Sequence, residues 1–253
     1  MATYVGLDIA TATGWAFFEN DRLIEKGTIN ILSQMELPQK LHYFHLELTN
    51  LLGRLRPERV FIEDVILGIS GARILAFLAR LNGVAINTAF EVVQDRVKLY
   101  DPTYWKSHSF DGLGGMAKKW QIQIAVIQHY NLPVTGDFSS LEKIVEEKKK
   151  IEDDLRSEWD VMRKRLVQIK SQMNRKRDPV SQDEKIYLDQ QLKDVSKAIL
   201  NIKRVLKEKE KEYDKKFSKI SIDLAAQTGM TENICDACGV AYCGWKETIQ
   251  NAT

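Results

Sequence analysis

The sequence predicts an α/β protein, a mixed β-sheet flanked by helices and interrupted by an inserted antiparallel coiled-coil helical hairpin. Three observations lead there. Short segments rich in β-branched and aromatic residues alternate with helical periods as far as Tyr130; the stretch after Leu141 becomes charged, with apolar residues at steps of three and four; and after Phe217 a globular pattern returns. At 253 residues the chain can hold one sizeable core and an accessory element.

The segment "YVGLDIATATGWAFF", residues 4 to 18, reads as two strands, 3–9 and 13–18, joined by an Ala/Thr link. A third strand is expected at 22–31, then a helix from Pro38 to Leu55, a strand at 59–66 and a helix from Ala72 to Leu81. Strands at 84–91 and 95–100 and a helix from Lys118 to Tyr130 complete this half. Farther on, Leu141, Ile144, Lys148, Ile151 and Leu155 start a seam that resumes, after one four-residue stutter, at Trp159, Met162, Leu166, Ile169 and Met173. Asp178 and Pro179 break it, and Ser181 with Glu184 supplies a capping box for a return arm through Leu188, Leu192, Val195, Ile199, Ile202 and Leu206. The expected division is a globular domain of residues 1–138 and 218–253 with a hairpin, 139–217, inserted in it, each arm about 50 Å long at about 1.5 Å per residue.

Composition narrows the function classes. No run of about 18 apolar residues is present to span a membrane, and a strand-like pattern begins at Thr3 without the basic start of a signal peptide, so an intracellular, cytoplasmic protein is expected. Cys235, Cys238 and Cys243 are an odd set that argues against a disulfide framework. Cys235-x-x-Cys238 has the spacing of half a zinc site but no further ligand nearby, and reads as packing. His42 and His45 read as ordinary helix residues, and the tip "NRKRDP", with Arg175, Lys176 and Arg177, as a solvated turn. A net charge of +2 neither demands nor excludes nucleic acid.

Acidic residues interrupt apolar elements at separated places. Asp8 lies inside the first strand pair; Glu63 and Asp64 interrupt "RVFIEDVI", where alternation sends them to opposite faces; Asp236 lies on a helix with Asn233 and Glu232 on the same face. A buried carboxylate needs a partner, and clustered ones repel unless a cation compensates them. Converging, they would form a site for hard cations such as Mg²⁺ or Mn²⁺. Two such ions about 4 Å apart can activate a water and stabilise the leaving 3′ oxygen of a phosphodiester.

Five stretches, "GLDIATATGWAFF", "FIEDVI", "RILAFLARLNGVAI", "YDPTYWKSHSFDGLGGMAKKWQIQIAVIQHYNLP" and "NICDACGVAY", resemble in that order the landmarks of RuvC-type Holliday junction resolvases of the ribonuclease H-like superfamily, most of all a phage or viral branch. The resemblance implies a ribonuclease H-like sheet, structure-selective cutting of four-way DNA junctions by paired nicks, two Mg²⁺ ions (Mn²⁺ as substitute) and a homodimer, in the host cytoplasm if phage-encoded. It implies Asp8, Glu63 and Asp236 as metal ligands. The family's further acidic position is Asn233 here, so Asn233 or the neighbouring Glu232 is the candidate fourth ligand. A catalytic lysine after the glycine-rich loop is Lys118 counting from the glycines and Lys119 counting from the following Gln-Ile; Lys119 is preferred. Lys106, Lys118 and Arg73 are candidate DNA contacts, and Ile66 stands where the family often has an aromatic wedge. The hairpin would extend the dimer interface or brace a DNA arm. Two alternatives stand beside this reading: a junction-binding scaffold on the same fold, and an actin-like or sugar-kinase-type ATPase, which would need a second such domain.

Overall fold

The computed structural model describes residues 2–65, 71–111, 113–134, 139–174 and 181–250, the last without exception and 139–142 by backbone only. The chain divides into two compact units, Met1–Val134 with Ile220–Thr253, and Thr135–Lys219.

The first unit is built on a five-stranded sheet in the order β3-β2-β1-β4-β5. β1 (Thr3–Asp8) pairs antiparallel with β2 (Ala12–Glu19), which pairs antiparallel with β3 (Arg22–Asn30); on its other side β1 runs parallel to β4 (Arg59–Glu63), and β4 to β5 (Val97–Tyr100). The sheet is mixed, as expected, and both faces are covered. Period-two alternation sorts its residues. Val5, Leu7, Val60 and Ile62 join Phe44, Leu48 and Leu52 of α1 (Leu37–Leu55) and Leu81, Ala85 and Ala89 of α2 (Ala72–Val93) in one core. The opposite face carries an aromatic layer: Tyr4 stacks on Phe18 (5.2 Å) and meets Phe61 edge-on (5.8 Å). α7 (Glu232–Gln250) covers this second face, with α3 (Pro102–His108) and α4 (Lys119–His129) packed against it.

α2 corrects an expectation. Residues 84–91 are helix, not strand, because Leu81, Ala85, Ala89 and Val93 are buried at helical spacing and this tertiary stripe overrides the local preference of Val84 and Ile86. Thr88, another β-branched residue, is accommodated by donating to the Val84 carbonyl (2.8 Å) and meeting His45 Nδ1 of α1 (2.9 Å). β4 ends at Glu63, short of the expected residue 66, and α3 was not expected, although Asp101-Pro102 is a recognisable start: the Asp101 carboxylate accepts from the backbone N–H groups of Thr103 (2.8 Å) and Tyr104 (3.1 Å).

In the second unit, α5 (Ser139–Met173) and the part of α6 (Gln182–Thr228) up to Lys219 share a narrow apolar cluster. Ile169, Leu188 and Val195 are buried, with Met162, Leu166, Met173, Leu192 and Ile199 against them. Glu184 N–H donates to Ser181 Oγ (3.2 Å) at the start of α6. The tip residues Arg175, Lys176 and Arg177 lie outside the described residues.

The seat of α7 on the sheet leaves no room for a side chain. A Cβ on Gly6 would stand 2.0 Å from the Ala237 carbonyl oxygen, and one on Gly14 2.1 Å from that of Asn233. Gly53, on α1, has nothing within 4 Å of the corresponding position. Gly6→Ala is therefore expected to lower stability by on the order of 3 kcal/mol or more, whereas Gly53→Ala raises it by about 0.5–1 kcal/mol through helix propensity; thermal and urea melts of the two variants check this contrast.

Candidate metal centre

Register brings the first two carboxylates together. Leu7 lies opposite Ile62 in the parallel β1–β4 pair, so Asp8 and Glu63 occupy the next step at the same ends of neighbouring strands. Asp8 shares the parity of Gly6 and Glu63 that of Phe61, the face covered by α7. Asp64 takes the other parity, and its Oδ1 accepts from Asn82 Nδ2 of α2 (3.2 Å) and from Val65 N–H (2.8 Å). The close seat of α7 then brings in Asp236, which is 5% exposed. One oxygen each from Asp8, Glu63 and Asp236 lies within 4.8 Å of the others.

Such a cluster is electrostatically unfavourable alone. Burial, then the Asp236 charge, push the Asp8 carboxyl up to about 7, against the pull of Lys119 and Lys106. Burial followed by the charges of Asp8 and Asp236 hold Glu63 well above the usual carboxylate range. Asp236 is pushed up to about 6 by burial, with Lys119 and Lys106 again opposing. Glu63 Oε2 and Asp236 Oδ1 are buried and have no hydrogen-bond partner among the described residues. Buried orphan oxygens at the meeting point of three carboxylates fit a hard divalent cation, which would satisfy the oxygens and cancel the repulsion.

The surrounding residues take distinct places. Lys119, the first residue of α4, has its Nζ 3.3 Å from Glu232 Oε2; burial disfavours its charge, but Asp236 and Glu232 outweigh that and raise its pKa. Glu232 is thus engaged by a lysine and is not part of the carboxylate cluster. Lys106 acts on all three carboxylates and lies 5.3 Å from the centroid of the Trp105 ring. Lys118 is the N-cap of α4, where its backbone N–H donates to Gln121 Oε1 (2.8 Å). Arg73 is exposed in the first turn of α2, and Ile66 lies outside the described residues. Asn233 turns its amide nitrogen to the Ala12 carbonyl at the start of β2, a donation that ties the first turn of α7 to the sheet. A carboxylate could not make that bond.

Reasoning on the sequence missed Glu247, which lies eleven residues, or about three turns, beyond Asp236 and so on the same side of α7. Glu247 accepts from Tyr104 (2.7 Å), Tyr100 (2.8 Å) and Lys98, and anchors the end of the helix to β5 and α3. That periodicity was the signal available. The three cysteines are free and buried within α7, as packing residues.

No family model matches the chain. The crossover junction endodeoxyribonuclease RuvC of Magnetococcus marinus is 32% identical over 66 residues, 24% of this chain and 37% of that protein, so the match spans just over a third of the relative's length. Among solved structures, Thermus thermophilus RuvC is 20% identical with a TM-score of 0.46, covering 53% of this chain and 84% of that one. T. thermophilus RuvC in complex with a Holliday junction substrate is 18% identical with a TM-score of 0.45, covering 54% and 83%. The curated match supports the RuvC-type resemblance of the motifs. Nothing in it bears on a phage or viral branch. Among the described residues no helix is long and apolar enough to cross a membrane.

The sign of the pH dependence follows from the raised carboxyl values. Between about pH 4 and 7 the folded, metal-free protein holds protons that the unfolded chain releases, so stability falls as pH rises through that window and levels above it. Asp8→Asn should raise the metal-free protein's stability at pH 8 by on the order of 2–4 kcal/mol and flatten its pH profile, as read by chemical denaturation in chelator. Asn233→Asp should lower it by about 1–3 kcal/mol, since a carboxylate then faces the Ala12 carbonyl.

Proposed function

We propose that the chain is a divalent-metal-dependent endonuclease that resolves four-way and related branched DNA junctions by paired nicks. The observation that carries the reading is the convergence of Asp8, Glu63 and Asp236, three carboxylates from two adjacent strands and a distant helix, with orphaned oxygens and two lysines beside them. The ordered motifs and the similarity to the M. marinus RuvC support it.

Asp8, Glu63 and Asp236 would hold two Mg²⁺ ions, with Mn²⁺ able to replace them. When bound, the ions supply an activated water and stabilisation of the departing 3′ oxygen. The protein's own part is placement and charge. The strand ends hold Asp8 and Glu63 rigidly, and α7 closes the third side of the site with Asp236. Lys119, held beside Glu232, offers an ammonium to the phosphate as charge develops on it, and Lys106 offers a second from α3. Lys118 and Arg73 would contact the DNA backbone farther out. Asn233 positions α7 rather than completing the ligand set, and Glu232 serves Lys119, so the remaining coordination falls to water and phosphate oxygens.

Paired nicks on opposed strands call for two centres related by a twofold axis, and thus a homodimer. The inserted helices, as an antiparallel coiled coil, would extend its interface. The Asn233 substitution favours one other reading, a junction-binding scaffold of weak catalytic power, since the site has one carboxylate fewer than the family pattern.

A synthetic four-way junction separates the readings. Mg²⁺-dependent cutting of the junction but not of linear duplex is expected. Asp8→Asn and Asp236→Asn should each abolish it, by at least about a thousandfold, and Lys119→Ala should reduce it about a hundredfold. Tight junction binding with no cutting in Mg²⁺ or Mn²⁺ would replace the nuclease by the scaffold.

A further inference from the structure

α3 carries a second surface on the flank away from Lys106. Trp105 is fully buried, and its neighbours Tyr104 and Lys106 lie about 100° to either side of it. On the Tyr104 side a cavity of about 320 Å³ opens between the end of α3, residues 109–111 and the last turns of α7.

Its walls have a definite chemistry. Tyr100, Tyr104 and His108 form a ladder of near-parallel rings, with centroids 6.1 and 4.1 Å apart and planes 17° and 16° apart. The ladder ends on an exposed ring, His108. Its Nδ1 lies 2.8 Å from the Tyr104 carbonyl and 2.9 Å from the Ser107 hydroxyl, contacts that orient the ring. Ser109 lines the cavity, is 1% exposed, and its hydroxyl has no partner among the described residues. Lys246 lies over the Tyr242 ring and donates to the Ser109 carbonyl (3.2 Å), with donor capacity to spare. Glu247, which fixes the ladder through Tyr100 and Tyr104, and Asp111 supply acceptors.

The charges decide the ligand class. A phosphate here would face Asp111 and Glu247 as well as Lys246, so an anion is disfavoured. A flat, uncharged group with donors and acceptors at its edge fits: it extends the ring ladder by one step, with Lys246 as donor and Asp111 as acceptor on the cavity wall. We propose that this cavity receives an unpaired nucleobase of the bound DNA strand, stacked on His108. The inference rests on the DNA-binding part of the reading above and is independent of cutting.

The test uses the full chain without metal and a single-stranded oligonucleotide carrying one 2-aminopurine. Binding should quench the probe. His108→Ala should lose the quench and bind roughly tenfold more weakly, while His108→Phe keeps both; thermal melts of the two variants check that each remains folded at the assay temperature. No binding, or quench and affinity unchanged in His108→Ala, overturns the pocket and leaves the nuclease reading standing. A free nucleoside monophosphate that competes as tightly as the strand also overturns it, by making the ligand a small molecule. Quenching that depends on His108, in a protein that never cuts a junction in Mg²⁺, keeps the pocket and sinks the nuclease.

Discussion

The structure depends on how closely α7 lies on the sheet. Asp236 can join Asp8 and Glu63 only if the helix backbone nearly touches β1 and β2, and Gly6 and Gly14 make that approach by offering no side chain. Ala237 and Ala241 answer Gly6 from the helix side, and the backbone of Asn233 and Ile234 answers Gly14. The contact is steric and insensitive to charge. It therefore holds together three carboxylates whose mutual repulsion opposes their meeting. The Asn233 donation to Ala12 reinforces it at the first turn of the helix, and the Glu247 bonds to Tyr100, Tyr104 and Lys98 reinforce it near the last.

A site held this way stores electrostatic strain that the rest of the fold must offset. The face of the sheet away from the site does so with a conventional core, in which Leu48 and Leu52 of α1 and Leu81 and Ala85 of α2 close over Val5, Leu7, Val60 and Ile62. Burying each such side chain contributes on the order of 1.5–3 kcal/mol. The strain of one raised carboxylate is therefore comparable to one or two core residues. The division of labour follows strand parity. Val5 and Leu7 of β1 face the α1–α2 core, while Tyr4, Gly6 and Asp8 face α7, and only the last of these reaches the carboxylate cluster; the same parity explains why Asp64, adjacent to Glu63, is spent on a hydrogen bond to Asn82 instead.

Much of this was legible in the sequence. The oddity of a charge within an apolar strand marks Asp8 and Glu63, and alternation separates Glu63 from Asp64 without coordinates. What was not legible came from contacts between distant segments. Residues 84–91 look like a strand locally, and only the packing of Leu81, Ala85 and Ala89 against α1 makes them helix. The family pattern makes position 233 a ligand, whereas the reach of its amide to Ala12 needs the third dimension. Between Lys118 and Lys119 the sequence preferred Lys119 on the Gln-Ile that follows it; what sequence could not show is that Lys119 Nζ lies 3.3 Å from Glu232 on a distant helix.

α3 shows how one short element can present two different surfaces. Asp101 starts it with a cap, and Trp105, buried against α7, fixes its rotation. Once that rotation is fixed, Lys106 is directed to the carboxylates and the Tyr104–His108 edge to the cavity beside Lys246. Lys106, whose charge acts on the three carboxylates, and the ring ladder then lie on opposite flanks of a single turn. Their separation is set by the helix and not by flexible loops, so a strand held by both would be located along its backbone and by one of its bases together. Glu247 links the two surfaces: it clamps the ring ladder with the same helix that carries Asp236, so that a shift of α7 would disturb the carboxylate cluster and the cavity at once.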